Sequence, residues 1–94
     1  MFKYFKCKWN HHNLKDPITL YSELNDSRME IRKVEVWANG SIGYANNNEN
    51  TPGTELGTEA IPPLSDISKD PQFQPIEITK EEFEIIWLNR KSSK

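Results

Sequence analysis

One cysteine, four scattered glycines and no long apolar run set the first limits on this 94-residue chain. A single thiol, Cys7, excludes an internal disulfide, and that usage fits a reducing cytoplasm. No stretch approaches the ~20 consecutive apolar residues that a membrane span needs. Lys3, Lys6 and Lys8 break up the start of the chain, which therefore lacks the apolar core of a secretion signal. The glycines build no phosphate-cradling loop, and there is no nucleophile elbow and no Ser/His/Asp arrangement. No internal repeat is present, and no cofactor is implied. Acid is missing from residues 1–15, which carry Lys3, Lys6, Lys8 and Lys15.

What is present describes a small, polar, soluble single domain over 1–94, with 28% charged and 35% hydrophobic residues. Residues 1–45 carry seven Lys or Arg against five Asp or Glu, and residues 46–94 carry five against nine. Three Trp, four Phe and three Tyr are too much apolar surface to leave in water, so an aromatic that stays exposed is informative.

The chain is organised around Arg28–Ala45. Asn39-Gly40 sits between two β-rich runs and predicts a two-residue type I′ hairpin. That loop would pair Trp37 with Ile42, Val36 with Gly43, Glu35 with Tyr44 and Val34 with Ala45. Trp37, Ile42, Glu35 and Tyr44 would then share one face, and Val34, Val36 and Ala45 the other. Met29 and Ile31 fall out of phase with Val34, so an extra residue near Arg32-Lys33 is expected to bulge the strand.

Upstream, Phe2–Asn10 alternates, with Phe5, Cys7 and Trp9 on one side and Lys6 and Lys8 on the other. Such lysine alternation is expected of an edge strand protected against aggregation. His11–Pro17 reads as a loop, Ile18–Leu24 as a strand and Asn25-Asp26-Ser27 as a turn. Short connections between four strands predict an antiparallel meander over 2–45. Residues 46–78 read as a long, ordered surface meander. It has a helical turn near Leu64–Asp70, with Leu64 and Ile67 inward, and Phe73, Ile76 and Ile78 are its further anchors.

The C-terminal helix, 79–91, starts at a capping box, Thr79-Lys80-Glu81-Glu82. Phe83, Ile86 and Trp87 form one apolar stripe for the sheet, and Ile85 and Leu88 lie on the far side. About 11 helical residues span roughly 17 Å, close to the width of four strands. One helix therefore covers one face of the sheet. The other face is left to the meander or to a partner. The fold class expected is α+β: a four-stranded antiparallel meander sheet, a long proline-containing loop and one C-terminal helix packed on the sheet.

Several constellations bear on chemistry. Cys7, His11 and His12 look like metal ligands, but adjacent histidines diverge in extended chain and no fourth ligand lies nearby, so no metal is expected. Arg28, Glu30, Arg32, Lys33 and Glu35, with His11 or His12 and Tyr44, offer the parts of a metal-independent nuclease-like site. They read more simply as cross-strand charge pairs, so no enzyme is expected. Trp9, Trp37, Tyr44 and Lys33 could stack single-stranded RNA or DNA, although a net charge of −2 gives no general attraction to phosphate. Trp37, Ile42 and Tyr44 form a candidate protein-binding patch, extended by Arg32 and Glu35, with Ile85 and Leu88 as a second contact.

The order Trp9-x-His11, Pro17-x-x-x-Tyr21-Ser22-Glu23, Glu30-x-Arg32-Lys33-Val34-Glu35, Gly40-x-x-Gly43-Tyr44-Ala45, Ile61-Pro62-Pro63 and Ile78-Thr79-Lys80-Glu81-Glu82-Phe83-x-x-x-Trp87 resembles a family of short, stand-alone bacterial proteins classed as a domain of unknown function. The resemblance covers nearly the whole chain. It implies a small bacterial protein of the cytoplasm and transfers no catalytic residue. By analogy with small acidic domains found beside toxin genes, it is compatible with an immunity or antitoxin role. The expectation is a non-enzymatic protein-binding module. RNA or single-stranded DNA binding through the sheet, or a nuclease-like activity, are the alternatives.

Overall fold

The computed structural model describes residues 1–91. Five strands, β1 (Lys3–Trp9), β2 (Thr19–Leu24), β3 (Glu30–Val36), β4 (Ile42–Asn46) and β5 (Phe73–Glu77), form one antiparallel sheet in the order β4-β3-β2-β1-β5. A one-turn helix, α1 (Leu64–Ile67), precedes β5, and α2 (Lys80–Leu88) follows it. The architecture is α+β, with five strands where the sequence predicts four. The added strand runs through Phe73 and Ile76, expected only as meander anchors. It pairs Phe73 with Trp9, Pro75 with Cys7 and Glu77 with Phe5. As a result β1 lies inside the sheet, and the reading of its lysines as edge protection is corrected.

The actual edge at β5 is protected by other means. The carbonyl of Tyr4 accepts from Ile78 N–H, so by alternation the even-numbered residues of β5 bond to β1 and Pro75 faces outward. Pro75 therefore removes a donor from the free edge without costing the ladder a bond. The β4 edge is closed by its own following loop: Thr51 N–H donates to the Tyr44 carbonyl and Asn46 N–H to the Glu49 carbonyl.

The hairpin turns at Asn39-Gly40, but not as a type I′ turn. Gly40 N–H donates to the Trp37 carbonyl and Trp37 N–H to the Ser41 carbonyl. Gly40 has φ +88°, whereas Asn39 has no positive φ. This is a three-residue loop, a type I turn followed by a left-handed bulge residue. The extra residue shifts the pairing by one: Val36 faces Ile42, Val34 faces Tyr44 and Glu35 faces Gly43. The predicted face assignments therefore change, because a one-residue slip exchanges the two sides of a strand. Val34, Val36, Ile42 and Tyr44 share one face, with Glu35, Gly43 and Ala45 on the other. The predicted bulge is at Ile31, one position before Arg32-Lys33: Glu23 pairs with Arg32 and Leu24 with Glu30.

The sheet separates two cores. On one face α2 buries Phe83 and Trp87 against Tyr4 and Val34, with Tyr21, Val36, Ile42, Tyr44, Ile78 and Ile86 around them. The capping box forms as expected. Thr79 Oγ1 accepts from Glu82 N–H at 3.1 Å, and Thr79 N–H donates to Glu82 Oε1 at 2.9 Å. On the other face Phe5, Cys7 and Leu24 lie under Leu20, Ile61, Leu64, Ile67 and Phe73, so the meander closes that side.

Much of the meander's hold is polar. Thr54 donates to Glu35 at 2.9 Å, Gly57 N–H to Glu30 at 2.7 Å and Lys33 to the Glu55 carbonyl at 3.0 Å. A Cβ on Gly43 would come within 2.3 Å of Thr54 Oγ1, so the meander seats closely only because that position is glycine.

Candidate functional site

The seven residues singled out as partner contacts do not form one patch. Arg32, 19% exposed, is the hub of an interior network. Its Nε donates to Glu23, its two terminal nitrogens bond Glu84 at 3.2 and 2.6 Å, and its guanidinium lies over the rings of Phe83 and Trp87. Tyr4 donates to the second oxygen of Glu23 at 2.7 Å. Burial alone would lower the Arg32 pKa, but the hydrogen bonds it donates to both carboxylates outweigh it and raise it. Glu84 is held below the usual carboxylate range, chiefly by its bond from Arg32. Burial, and then the bond to Glu23, push the Tyr4 phenol up to about 12.

Tyr44 is turned inward against Trp87, with Arg90 over its ring, and Ile42 packs around the same core. Trp37 lies on the opposite face beside Gly43, its indole N–H donating to the Lys15 carbonyl at 3.0 Å. Glu35 is held under the meander by Thr54. Only Ile85 and Leu88 are prominently exposed, at 64% and 76%.

The residues of the other constellations are similarly dispersed. Glu30 accepts from Ser22 at 2.9 Å and from Gly57 N–H, and Lys33 pairs with it at 3.3 Å. Arg28 Nε and Nη2 donate to the carbonyls of Ile61 and Pro62 at 2.6 and 2.8 Å. The charge-pair reading expects cross-strand pairs on a solvated face, whereas Lys33 pairs within β3, Arg28 bonds the meander and Glu30 is buried; a cross-strand ion pair is made instead by Arg32 with Glu23. His11 uses both ring nitrogens in its own loop: Nε2 donates to the Pro17 carbonyl at 2.8 Å, and Nδ1 accepts from Asn13 N–H at 3.0 Å. Buried Cys7 has its thiol pKa raised by desolvation. Among the described residues, no group of three or more His, Cys, Asp or Glu is placed to hold a metal ion. For the stacking alternative, Trp9 is occupied between Phe73 and His11, and Tyr44 and Lys33 face opposite sides.

One of several surface grooves lies beside α2. The helix packs over Tyr4, Val34 and Tyr44, and on the same side of the sheet is a corner where Lys6, Lys8 and Ile76 stay exposed. The groove, of about 290 Å³, is lined by Lys6, Tyr21 and Ile78 from the sheet side and by Glu82, Ile85, Ile86 and Asn89 from the helix. Ile76, paired with Lys6, extends its floor and is 59% exposed. The sequence pattern marked Ile85 and Leu88 as outward. Ile76 was missed because its place beside Lys6 depends on the fifth strand, and the Lys6–Tyr21 pair because spacing alone does not fix the register of β1 on β2.

The sequence profile of the domain of unknown function DUF6881 matches residues 3–92. The chain belongs to the DUF6881 family. The match takes in all seven elements, so the whole sheet and both helices lie within the DUF6881 domain. No curated protein and no solved structure matches the chain. Among its described residues, no helix is long and apolar enough to cross a membrane.

Proposed function

We propose that this DUF6881 chain is a non-enzymatic protein-binding module of the bacterial cytoplasm, of immunity or antitoxin type, which meets its partner through the outward side of α2. The observation that carries this reading is the pair Ile85 and Leu88. They are three residues apart on one side of a helix whose inward side already buries Phe83 and Trp87. Large aliphatic side chains exposed together on one element are typical of a contact surface. Glu81 and Glu82 precede them on the helix, and the acidic second half of the chain suits a partner with basic groups around an apolar site. The bacterial and cytoplasmic parts of the proposal rest on the family resemblance and on the single buried thiol.

The test is purification of the tagged chain from its native host beside the Ile85→Asp/Leu88→Asp variant. Both side chains are exposed, so the variant is expected to keep the wild-type melting temperature. It should lose a stoichiometric partner that the wild type retains. Equal recovery by both proteins, or recovery of nothing by the wild type, would refute the proposal. If the partner is a toxin encoded alongside, the wild type should suppress its toxicity and the variant should not.

A further inference from the structure

Lys6 lines the groove, and Lys8, two residues further along β1, lies on the same side of the sheet just beyond it. Their cross-strand neighbours are Tyr21 and Thr19 in β2 and Ile76 and Gln74 in β5, none of them charged. Neither lysine takes part in an ion pair among the described residues, and the one contact of Lys6 with an aromatic is with Tyr21, 5.7 Å from ammonium to ring centre. Two of the carboxylates on that side of the sheet and helix, Glu23 and Glu84, are drawn to Arg32. Glu82 lines the groove and, accepting only from the neutral Thr79 N–H in the capping box, keeps its charge. Two lysines against the one carboxylate of Glu82 leave the corner with a local excess of positive charge on a chain whose net charge is −2. Beside the lysines lie the exposed Ile76 and Ile85 and the half-buried Tyr21 and Ile86. Pro75 on the β5 edge makes strand addition at that corner unfavourable, so a ligand would lie on the face.

We propose that this groove receives a segment of the protein partner that presents apolar side chains flanked by carboxylates. The apolar side chains lie on Ile76, Tyr21 and Ile85, and the carboxylates meet Lys6 and Lys8. The inference rests on the protein-binding reading and adds the chemistry of what is bound. Charge complementarity selects an acidic segment, and the apolar floor selects a peptide over a phosphate backbone alone. An acidic segment here and basic groups against the exposed Glu81 would fix the partner's orientation across α2.

The test uses the full chain, isotopically labelled, titrated with an amphipathic Leu/Glu peptide, its Leu/Lys counterpart and an oligothymidylate of matched charge. The Leu/Glu peptide is expected to shift the amide signals of Lys6, Lys8, Tyr21 and Ile76. Its dissociation constant should rise about tenfold in Lys6→Glu/Lys8→Glu, and less in Lys6→Gln/Lys8→Gln. Both lysines are exposed, and melting curves would confirm that the variants fold. Equal binding of the Leu/Lys peptide, tighter binding of the oligothymidylate at the same residues, or no binding by any probe would each overturn the proposal. None of these outcomes bears on whether the native partner depends on Ile85 and Leu88, so the two readings fail separately.

Discussion

At the scale of single residues, the most telling position is Arg28. Arg28 N–H donates to the Asn25 carbonyl and Asn25 N–H to the Met29 carbonyl, the same loop pattern that Gly40 closes in the second hairpin. Arg28 therefore stands where a glycine is ordinarily found, at φ +62°. A left-handed conformation costs a residue with a Cβ about 1–2 kcal/mol. The return is that Arg28 pins the meander, accepting from Ile61 N–H and donating to the Ile61 and Pro62 carbonyls. Arg28→Ala keeps the strain and loses the side-chain bonds, whereas Arg28→Gly loses the bonds and the strain together. In urea unfolding, Arg28→Gly should lie between wild type and Arg28→Ala, about 1 kcal/mol above the latter. A variant more stable than wild type would mean that the anchor contributes less than the strain. None of this was legible in the sequence, where arginine is not a turn signal. Asn39-Gly40 was legible as a turn but not as to type, because a left-handed glycine serves both loop types.

At the scale of elements, α2 was the most readable part of the chain. Its capping box, inward stripe and outward Ile85 and Leu88 follow from spacing alone. What spacing does not show is the means of docking. Arg32 joins Glu23 of β2 to Glu84 of α2 while lying against Phe83 and Trp87. In the sequence it is one more charge on a mixed strand. The network makes stability depend on pH at both ends. The folded pKa of Glu84 is lowered, so its contribution is present above the unfolded value, ~4.3, and is lost as pH falls through the folded value. The pKa of Tyr4 is raised to about 12, so its contribution is present below the unfolded value, ~10, and is lost as pH rises towards about 12. Urea midpoints measured across pH should fall at both extremes. Glu84→Gln should flatten the acid limb and leave the alkaline one, and Tyr4→Phe should do the reverse. Identical acid limbs in wild type and Glu84→Gln would show that the Arg32–Glu84 bond does not hold the helix.

At the scale of the whole molecule, four strands were legible and the fifth was not. Phe73-Gln-Pro-Ile-Glu77 contains a proline, which argues against a central strand and is compatible only with an edge, and the sequence does not say where an edge lies. Missing β5 also hid the open corner, because β5 carries Ile76 beside Lys6. The topology it completes has an energetic consequence. Residues 3–46 supply four strands, but both faces of the sheet are closed by segments that come later. The meander and α1 cover Phe5, Cys7 and Leu24, and α2 covers Tyr4 and Val34. Phe83 and Trp87 are 0% and 7% exposed, and burying each contributes roughly 2–3 kcal/mol. Losing both, together with the Arg32 pairing to Glu84, approaches the ~5–10 kcal/mol that stabilises a typical domain of this size. A chain ending at Ile78 is therefore expected to lose fixed packing altogether rather than to persist as a sheet without its helix. Its near-ultraviolet circular dichroism should collapse and its amide signals should lose dispersion. If instead the truncated chain melted cooperatively within a few degrees of the full one, the sheet and meander would be an independent unit and α2 an appendage.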